Sequence, residues 1–173
     1  MHTVFNKLIE LIDQFTERVG QAISWLVIFL VILVVYDVSM RYMFQSGSIA
    51  IQELQWHIFS IIFLLGAGYT LKDDEHVRLD LLYKSRFLTE KHRAWIDALG
   101  ALLILIPFCW LIIYCAQPFV SQAFTYNEAS PDPGGLPARW LIKAMIPVGF
   151  MLLMLQACSQ CLKKFQIALG NSS

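Results

Sequence analysis

Four long apolar blocks limit what this chain can fold into. Charged residues make up 15% of the 173 residues and hydrophobic residues 57%, whereas an average soluble domain is about 25% charged. The hydrocarbon core of a bilayer is about 30 Å thick, so a helix needs about 20 apolar residues to cross it. The blocks that reach this length are approximately 20–42, 49–71, 94–117 and 140–162. The sequence therefore predicts a single all-α membrane domain, residues 1–173, with four transmembrane helices.

The distribution of Lys and Arg predicts how these spans are oriented. Ten of the thirteen basic residues fall in the N-terminal segment, the second loop or the C-terminal tail; the other three are Arg41, Arg139 and Lys143. Cytoplasmic segments carry an excess of Lys and Arg. Both termini are therefore expected in the cytoplasm, an N-in, C-in topology.

Residues 3–19 have the periodicity of an amphipathic helix, with apolar side chains on one face and polar side chains on the other. We expect this helix to lie at the membrane interface or against a partner protein. Because its polar face mixes acidic and basic residues, packing against protein is favoured over binding to anionic lipid. The predicted apolar face consists of Val4, Phe5, Leu8, Leu11, Ile12, Phe15 and Val19.

Asp37 and Arg41 lie near the end of the first span, four residues apart, and can pair along one helix face. Two interpretations remain open: an ion pair at the headgroup boundary, or a carboxylate deep enough to need a buried partner. Arg41 can also reach across the short 44–48 turn toward Glu53.

The second span starts with a stripe of hydrogen-bonding side chains on one face, formed by Glu53, Trp56, His57 and Ser60. Much of this stripe is explained by two preferences: acidic residues favour the first turns of a helix, and tryptophan favours the membrane interface. The alternative explanation is that the stripe makes a polar contact with another subunit. Further along, the Gly66-Ala67-Gly68 step allows a second helix to approach closely.

The sequence carries no pattern typical of a metal site, an enzyme or a nucleic-acid-binding protein. Consecutive residues such as Asp73–His76 rarely converge on one ion, and Cys158-x-x-Cys161 lacks the context of a zinc or redox motif. The formal net charge is zero, which provides no basic face for nucleic acid. We expect no enzymatic activity, no cofactor and no nucleic-acid partner.

Several motifs, in order along almost the whole chain, resemble one family: the small membrane subunit (Q, or DctQ-type) of tripartite ATP-independent periplasmic (TRAP) transporters. One position departs from the family pattern, because Gln52-Glu53 stands where the family often has two acids. The matching motifs are Gln52-Glu53-Leu54-Gln55-Trp56-His57, Gly66-Ala67-Gly68-Tyr69, His76-Val77-Arg78-Leu79-Asp80, Glu128-x-Ser130 and Leu136-Pro137-x-Arg139-Trp140.

The resemblance implies a division of labour in the bacterial inner membrane. A periplasmic binding protein captures an organic acid or a related carboxylate or polyol. A large membrane subunit (M, or DctM-type) transports it together with sodium, and the small subunit braces the large one. Sodium is then expected in the large subunit, and membrane lipid surrounds both.

Three groups of candidate interface residues follow. Arg41, Glu53 and Trp56, with His57 beside them, form an expected structural cluster on the outer side. Glu128, Ser130, Arg139 and Trp140 lie near the expected docking surface for the binding protein. The last group, expected on the cytoplasmic side, is His76, Arg78 and Asp80.

Two other functions fit a small four-helix membrane protein. A self-sufficient exporter would need a glutamate embedded near the membrane centre, whereas Glu53 lies at the end of a span. A haem b electron carrier would need pairs of facing histidines, and of the four histidines His57 alone lies near a span.

Overall fold

A computed structural model of the chain describes residues 2–73 and 90–168. These residues are helical apart from short connections, and no strand occurs among them, which confirms the all-α prediction. The helices are α1 (His2–Met43), α2 (Ile49–Lys72), α3 (Glu90–Gly100), a π-helical segment (Ala101–Leu105), α4 (Ile106–Thr125) and α5 (Trp140–Ala168).

Four helical rods in the described part of the chain are long and apolar enough to cross a membrane. The third rod combines α3, the π-helical segment and α4. The chain is therefore a multi-pass membrane protein with four spans, as predicted. The apolar rods run over Asn6–Met43, Ile49–Lys72, Lys91–Thr125 and Trp140–Ala168.

The irregular turn in the third rod lies directly before Pro107. A proline within a helix favours a kink, because it lacks an N–H and its ring crowds the preceding turn. The structure places the π-helical segment at Ala101–Leu105 and Pro107 in the first turn of α4. A single π-turn of this kind widens the helix locally, and both π-turns and prolines are known causes of helix kinks.

The predicted N-terminal amphipathic segment and the first span form one continuous helix, α1, with no break at Gly20. The face that packs inward carries Ile9, Thr16 and Ile23. Much of the predicted apolar face points outward, and Leu11 is 64% exposed. Through this face the segment packs against α5 of the same chain, whereas its contact with the membrane interface or with a partner protein stays a prediction.

Helix α5 is the central element of the bundle and contacts α1, α2, α3 and α4. Small residues allow these helices to come close together. A Cβ added to Gly149 would lie 2.8 Å from the backbone oxygen of Leu64, and one added to Gly68 would lie 3.1 Å from Leu152. A Cβ added to Gly66, by contrast, would have no atom of the described chain within 4 Å, apart from its two neighbours in the sequence and the nearby backbone of its own helix. Gly68 and Gly149 therefore set the distance between α2 and α5.

The two ends of the bundle differ in which segments they bring together. Residues 126–139, between α4 and α5, lie at the same end as the start of α2; we call this the loop end. The start of α1 meets the end of α5 at the opposite end, which we call the termini end.

Candidate functional site

A buried carboxylate at the loop end joins α2 to the loop that precedes α5. The Glu53 side chain is 6% exposed and accepts a hydrogen bond from the hydroxyl of Ser130. Its other oxygen accepts a 2.6 Å hydrogen bond from the backbone N–H of Leu136. The guanidinium of Arg139 lies 3.9 Å from the carboxylate. We call these four residues the Glu53 clasp.

The loop conformation brings the clasp residues to the carboxylate. The N–H of Ser130 donates to the carbonyl of Leu136 at 3.0 Å, so the two donors of the clasp are held side by side. Gly134 has a φ of 83°, a value that glycine tolerates without strain. A Cβ on the following Gly135 would collide with Ser130 and lie 2.8 Å from Glu53 Oε2. Both glycines therefore suit the backbone that reaches Glu53.

Aromatic and cationic groups surround the clasp on the α2 side. The Arg139 guanidinium lies over the Trp56 ring, 5.6 Å from its centroid. The rings of Trp56 and His57 are 3.9 Å apart between centroids. His57 Nδ1 lies 2.6 Å from the backbone carbonyl of Glu53 and donates to it, because a carbonyl oxygen can only accept.

A second ion pair ties the start of the loop to α5. Lys143 Nζ contacts the Glu128 carboxylate at 2.5 Å and lies 4.0 Å from the centroid of the Phe119 ring. The carbonyl of Glu128 also accepts a 2.8 Å hydrogen bond from the N–H of Arg139. Trp140 packs edge-on against Phe124. The loop is thus held at both of its ends by charged residues.

The structure brings together most of the outer residues proposed from sequence and separates one. Glu53, Trp56, His57, Ser130 and Arg139 form one cluster, and Glu128 and Trp140 lie beside it. The Arg41 guanidinium instead pairs with Asp37 on its own helix.

The expected reach of Arg41 toward Glu53 is therefore not what the structure shows, since the cation beside Glu53 is Arg139. The physical reason is that Asp37, four residues away on the same helix face, offers Arg41 a nearer partner. The Asp37 side chain is 5% exposed, whereas that of Arg41 is 47% exposed. Asp37 is thus a buried carboxylate whose partner extends outward, and the position of this pair at the headgroup boundary stays a prediction.

Three other candidate residues cannot be placed. His76, Arg78 and Asp80 lie outside the described residues. Of the acidic run at 73–75, the structure describes Asp73, which pairs with Lys72 at 3.3 Å.

A buried polar network at the termini end was not predicted. Gln156 is fully buried, accepts a 2.8 Å hydrogen bond from the Thr16 hydroxyl and donates to Asp13 at 3.0 Å. Asp13 also accepts from Ser159 at 3.0 Å and from Lys163 at 2.5 Å. Asp13 lies on the polar side of the amphipathic pattern of residues 3–19, and in the structure this side chain contacts α5. The i, i+3 spacing of Asp13 with Thr16, and of Gln156 with Ser159, is the sequence signal that could have indicated it.

Further ion pairs hold other helices at the same end. Lys72 pairs with Glu17, which joins α2 to α1. Lys164 lies 3.3 Å from Asp97, which joins α5 to α3. The bundle therefore has polar fastenings at both ends and apolar sides between them.

The described residues form no cluster that is typical of a metal site. Within residues 6–73 and 91–168, no three His, Cys, Asp or Glu side chains converge on a point that could hold an ion. All four cysteines are free, and Cys109 and Cys161 are buried among the helices. The Glu53 carboxylate is fully engaged by its donors. This arrangement can hold a loop in place, and it does not expose a reactive group.

Comparison with known families identifies the chain. Residues 30–167 match the family model described as tripartite ATP-independent periplasmic transporters, DctQ component. The chain belongs to this family. It is a DctQ-type small membrane subunit of a TRAP transporter, a class of transport components and not of enzymes. The complete Glu53 clasp lies inside the matched residues, whereas Asp13 and Thr16 lie before them. No curated protein matches the chain.

Proposed function

We propose that this DctQ-type chain supports the large membrane subunit of its transporter as a rigid scaffold. One observation carries the proposal: the buried carboxylate of Glu53 is occupied by three partners within the chain, while the sides of the helices between the two polar ends are apolar and exposed. A substrate site needs polar groups free to contact the substrate. A scaffold needs a fixed shape and a surface that packs against protein or lipid.

The transport cycle itself is assigned to the partners. By the family resemblance, a periplasmic binding protein delivers an organic acid or a related carboxylate or polyol, and the large subunit imports it with sodium. In this proposal the chain contributes neither a sodium site nor a substrate contact. It needs no cofactor of its own.

The proposed orientation places both termini in the cytoplasm and the loop end at the periplasmic face of the bacterial inner membrane. Support comes from the Lys and Arg distribution, with ten of thirteen basic residues assigned to the cytoplasmic side. The Glu53 clasp then fixes the loop that faces the binding protein. Its role is to present a defined surface to that protein.

Neither alternative function gains support from the site. An exporter glutamate must exchange protons or substrate, but the Glu53 oxygens are taken up by Ser130 and Leu136. A haem b carrier needs facing histidines, but His57 lies in α2 at the loop end, and His92, the other histidine side chain that the structure describes, lies in α3 at the termini end.

Co-purification tests the scaffold proposal. The tagged chain should retain the large subunit through detergent extraction. Glu53→Ala should lower the recovered complex or the rate of uptake and leave the relative rates for different substrates unchanged. A change in substrate preference would show that this chain contacts the substrate and would contradict the proposal.

A further inference from the structure

An apolar groove with two cations at one end lies on the side of the bundle, beside the Glu53 clasp. Its volume is about 460 Å³, within the usual range for small-molecule sites. It lies between α2, α4 and the start of α5. Its walls are formed by Trp56, Phe59, Ser60, Phe63, Leu64, Phe119, Arg139, Ile142, Lys143 and Ile146.

The groove is polar at the loop end and apolar farther into the membrane. Arg139 and Lys143 stand at the start of α5, and Ile146 lies seven residues beyond Arg139, about 10 Å deeper along the helix. On α2, Trp56 lies at the polar end and Phe63 two turns deeper. Because Trp, Lys and Arg are typical of the membrane–water interface, we expect Trp56 and the two cations at the depth where headgroups meet the hydrocarbon. This order of charge and then apolar surface matches the order within a phospholipid.

The two cations keep donors available for a phosphate. A guanidinium has five N–H donors and an ammonium three. Among the described residues, Arg139 lies 3.9 Å from one Glu53 oxygen, and that carboxylate already has closer donors in Ser130 and Leu136. Lys143 contacts one oxygen of Glu128. Both cations also form part of the groove wall.

The acidic groups at the same end indicate the class of headgroup. Glu53 and Glu128 balance the charges of Arg139 and Lys143, so the site as a whole has little attraction for a purely anionic lipid. The Glu128 side chain is 37% exposed and can accept from an ammonium group. A headgroup that carries both a phosphate and a primary ammonium is complementary to the whole set.

We infer that this groove binds one phospholipid with a phosphate–ammonium headgroup, its phosphate on Arg139 and Lys143 and one acyl chain along Phe63 and Ile146. All the residues that line the groove belong to this chain. The inference therefore does not depend on the proposed support of the large subunit.

Native mass spectrometry of the purified full-length chain tests the inference. Phosphatidylethanolamine with palmitoyl and oleoyl chains should bind one molecule per chain, more tightly than phosphatidylglycerol with the same acyl chains. Lys143→Gln should weaken phosphatidylethanolamine binding by about tenfold, the effect of losing one charge-assisted hydrogen bond. Lys72→Gln is the matched control, because it also removes a lysine paired with a glutamate but lies at the termini end.

A second pair of variants tests the apolar part of the groove. Ser60→Phe should fill it and abolish binding, whereas Ser24→Phe should leave binding unchanged. The two serines are matched, since each donates to the carbonyl four residues earlier, and Ser24 lies on an exposed face of α1. These two variants test lipid binding in the groove even if Lys143→Gln destabilises the protein.

Three results would overturn the inference. The first is equal phosphatidylethanolamine binding by the wild type, Lys143→Gln and Ser60→Phe. The second is displacement of the lipid by millimolar inorganic phosphate, which would indicate a simple anion site. The third is a photo-crosslinker at position 63 that captures a large-subunit helix in the assembled transporter with no lipid retained, which would assign the groove to a protein partner.

Discussion

At the scale of single residues, Glu53 connects two parts of the chain that are far apart in the sequence. It is buried, charged and bonded to a loop 77 residues farther along the chain. A buried carboxylate is stable only when its oxygens are satisfied, and here Ser130 and Leu136 satisfy them. The structural role of Glu53 is therefore to hold the loop of residues 126–139 in place.

Replacing Glu53 should release that loop. Glu53→Ala leaves the Leu136 N–H and the Ser130 hydroxyl without their acceptor and should lower the free energy of unfolding by about 2–3 kcal/mol. Glu53→Gln keeps one acceptor oxygen and should cost less. Thermal unfolding in detergent measures both, with Glu10→Ala on the exposed face of α1 as control. Equal stability of Glu53→Ala and the wild type would contradict this account of the clasp.

The Thr16–Gln156 hydrogen bond permits a double-mutant test of the network at the termini end. Thr16→Val should destabilise the protein by about 1–2 kcal/mol, because Gln156 Oε1 is left buried without its donor. Gln156→Leu also removes the hydrogen bond to Asp13, so it should cost stability by itself, but it should cost less in the Thr16→Val background, where the Thr16–Gln156 bond is already lost. If the loss of stability in the double variant equals the sum of the losses in the two single variants, the Thr16–Gln156 contact contributes no interaction energy.

The sequence indicated some of these residues and not their pairing. The stripe that contains Glu53, Trp56 and His57 followed from helical spacing, and Ser130 and Arg139 followed from the family resemblance. Which cation faces Glu53 depends on the backbone of residues 126–139, where Asn127, Gly134 and Ala138 adopt positive φ. Local patterns do not specify such a loop. The sequence therefore suggested Arg41 near Glu53, whereas the structure has Arg139 in that place.

At the scale of helices, apolar length predicted the number of spans, but polarity alone did not predict which face is buried. Helix α1 shows why. Its inward face is lined by Thr16 and Asp13, which bond to α5, while Leu11 and Phe15 point outward. In a membrane, apolar side chains gain nothing by facing protein rather than lipid, so polar groups and small residues decide the packing.

Glycine substitutions test that packing. Gly149→Ala places a methyl group 2.8 Å from the Leu64 carbonyl and should destabilise the bundle by about 1–3 kcal/mol. Gly66→Ala is the matched control on the partner helix, because its methyl group meets open space, and it should be neutral or slightly stabilising. Unfolding temperatures in detergent compare the two variants. A larger loss for Gly66→Ala than for Gly149→Ala would contradict the arrangement of α2 against α5.

The same Gly66→Ala variant tests a sequence-based expectation. Gly66 was proposed as a close-packing position and has open space beside it in this chain. If its partner is the large subunit, Gly66→Ala should lower recovery of the complex without changing the stability of the isolated chain. Co-purification beside the unfolding measurement separates the two effects.

At the scale of the whole molecule, the chain is a bundle fastened at its two ends and apolar along its sides. The Glu53 clasp and the Glu128–Lys143 pair hold the loop end, and the Asp13 network with the Lys72–Glu17 pair holds the termini end. Polar contacts at the ends allow the sides to remain free of charge. Such a surface suits a subunit that stands against another membrane protein.

Orientation is a prediction at this scale. A cysteine introduced at Asp132 should react in intact cells with a membrane-impermeant maleimide, whereas one introduced at Ser173 should react only after the membrane is opened. Both are compared with the parent chain, whose four native cysteines set the background. The reverse pattern of labelling would contradict the N-in, C-in topology.

The central claim is that this chain supports the large subunit and takes no part in substrate binding. The most direct measurement is uptake, under an imposed inward sodium gradient, by proteoliposomes that contain the large subunit and its binding protein, with and without this chain. Uptake should require the chain, and the order of preference among substrates should be the same with the wild type and with Glu53→Ala. Full uptake by the large subunit without this chain would contradict the account.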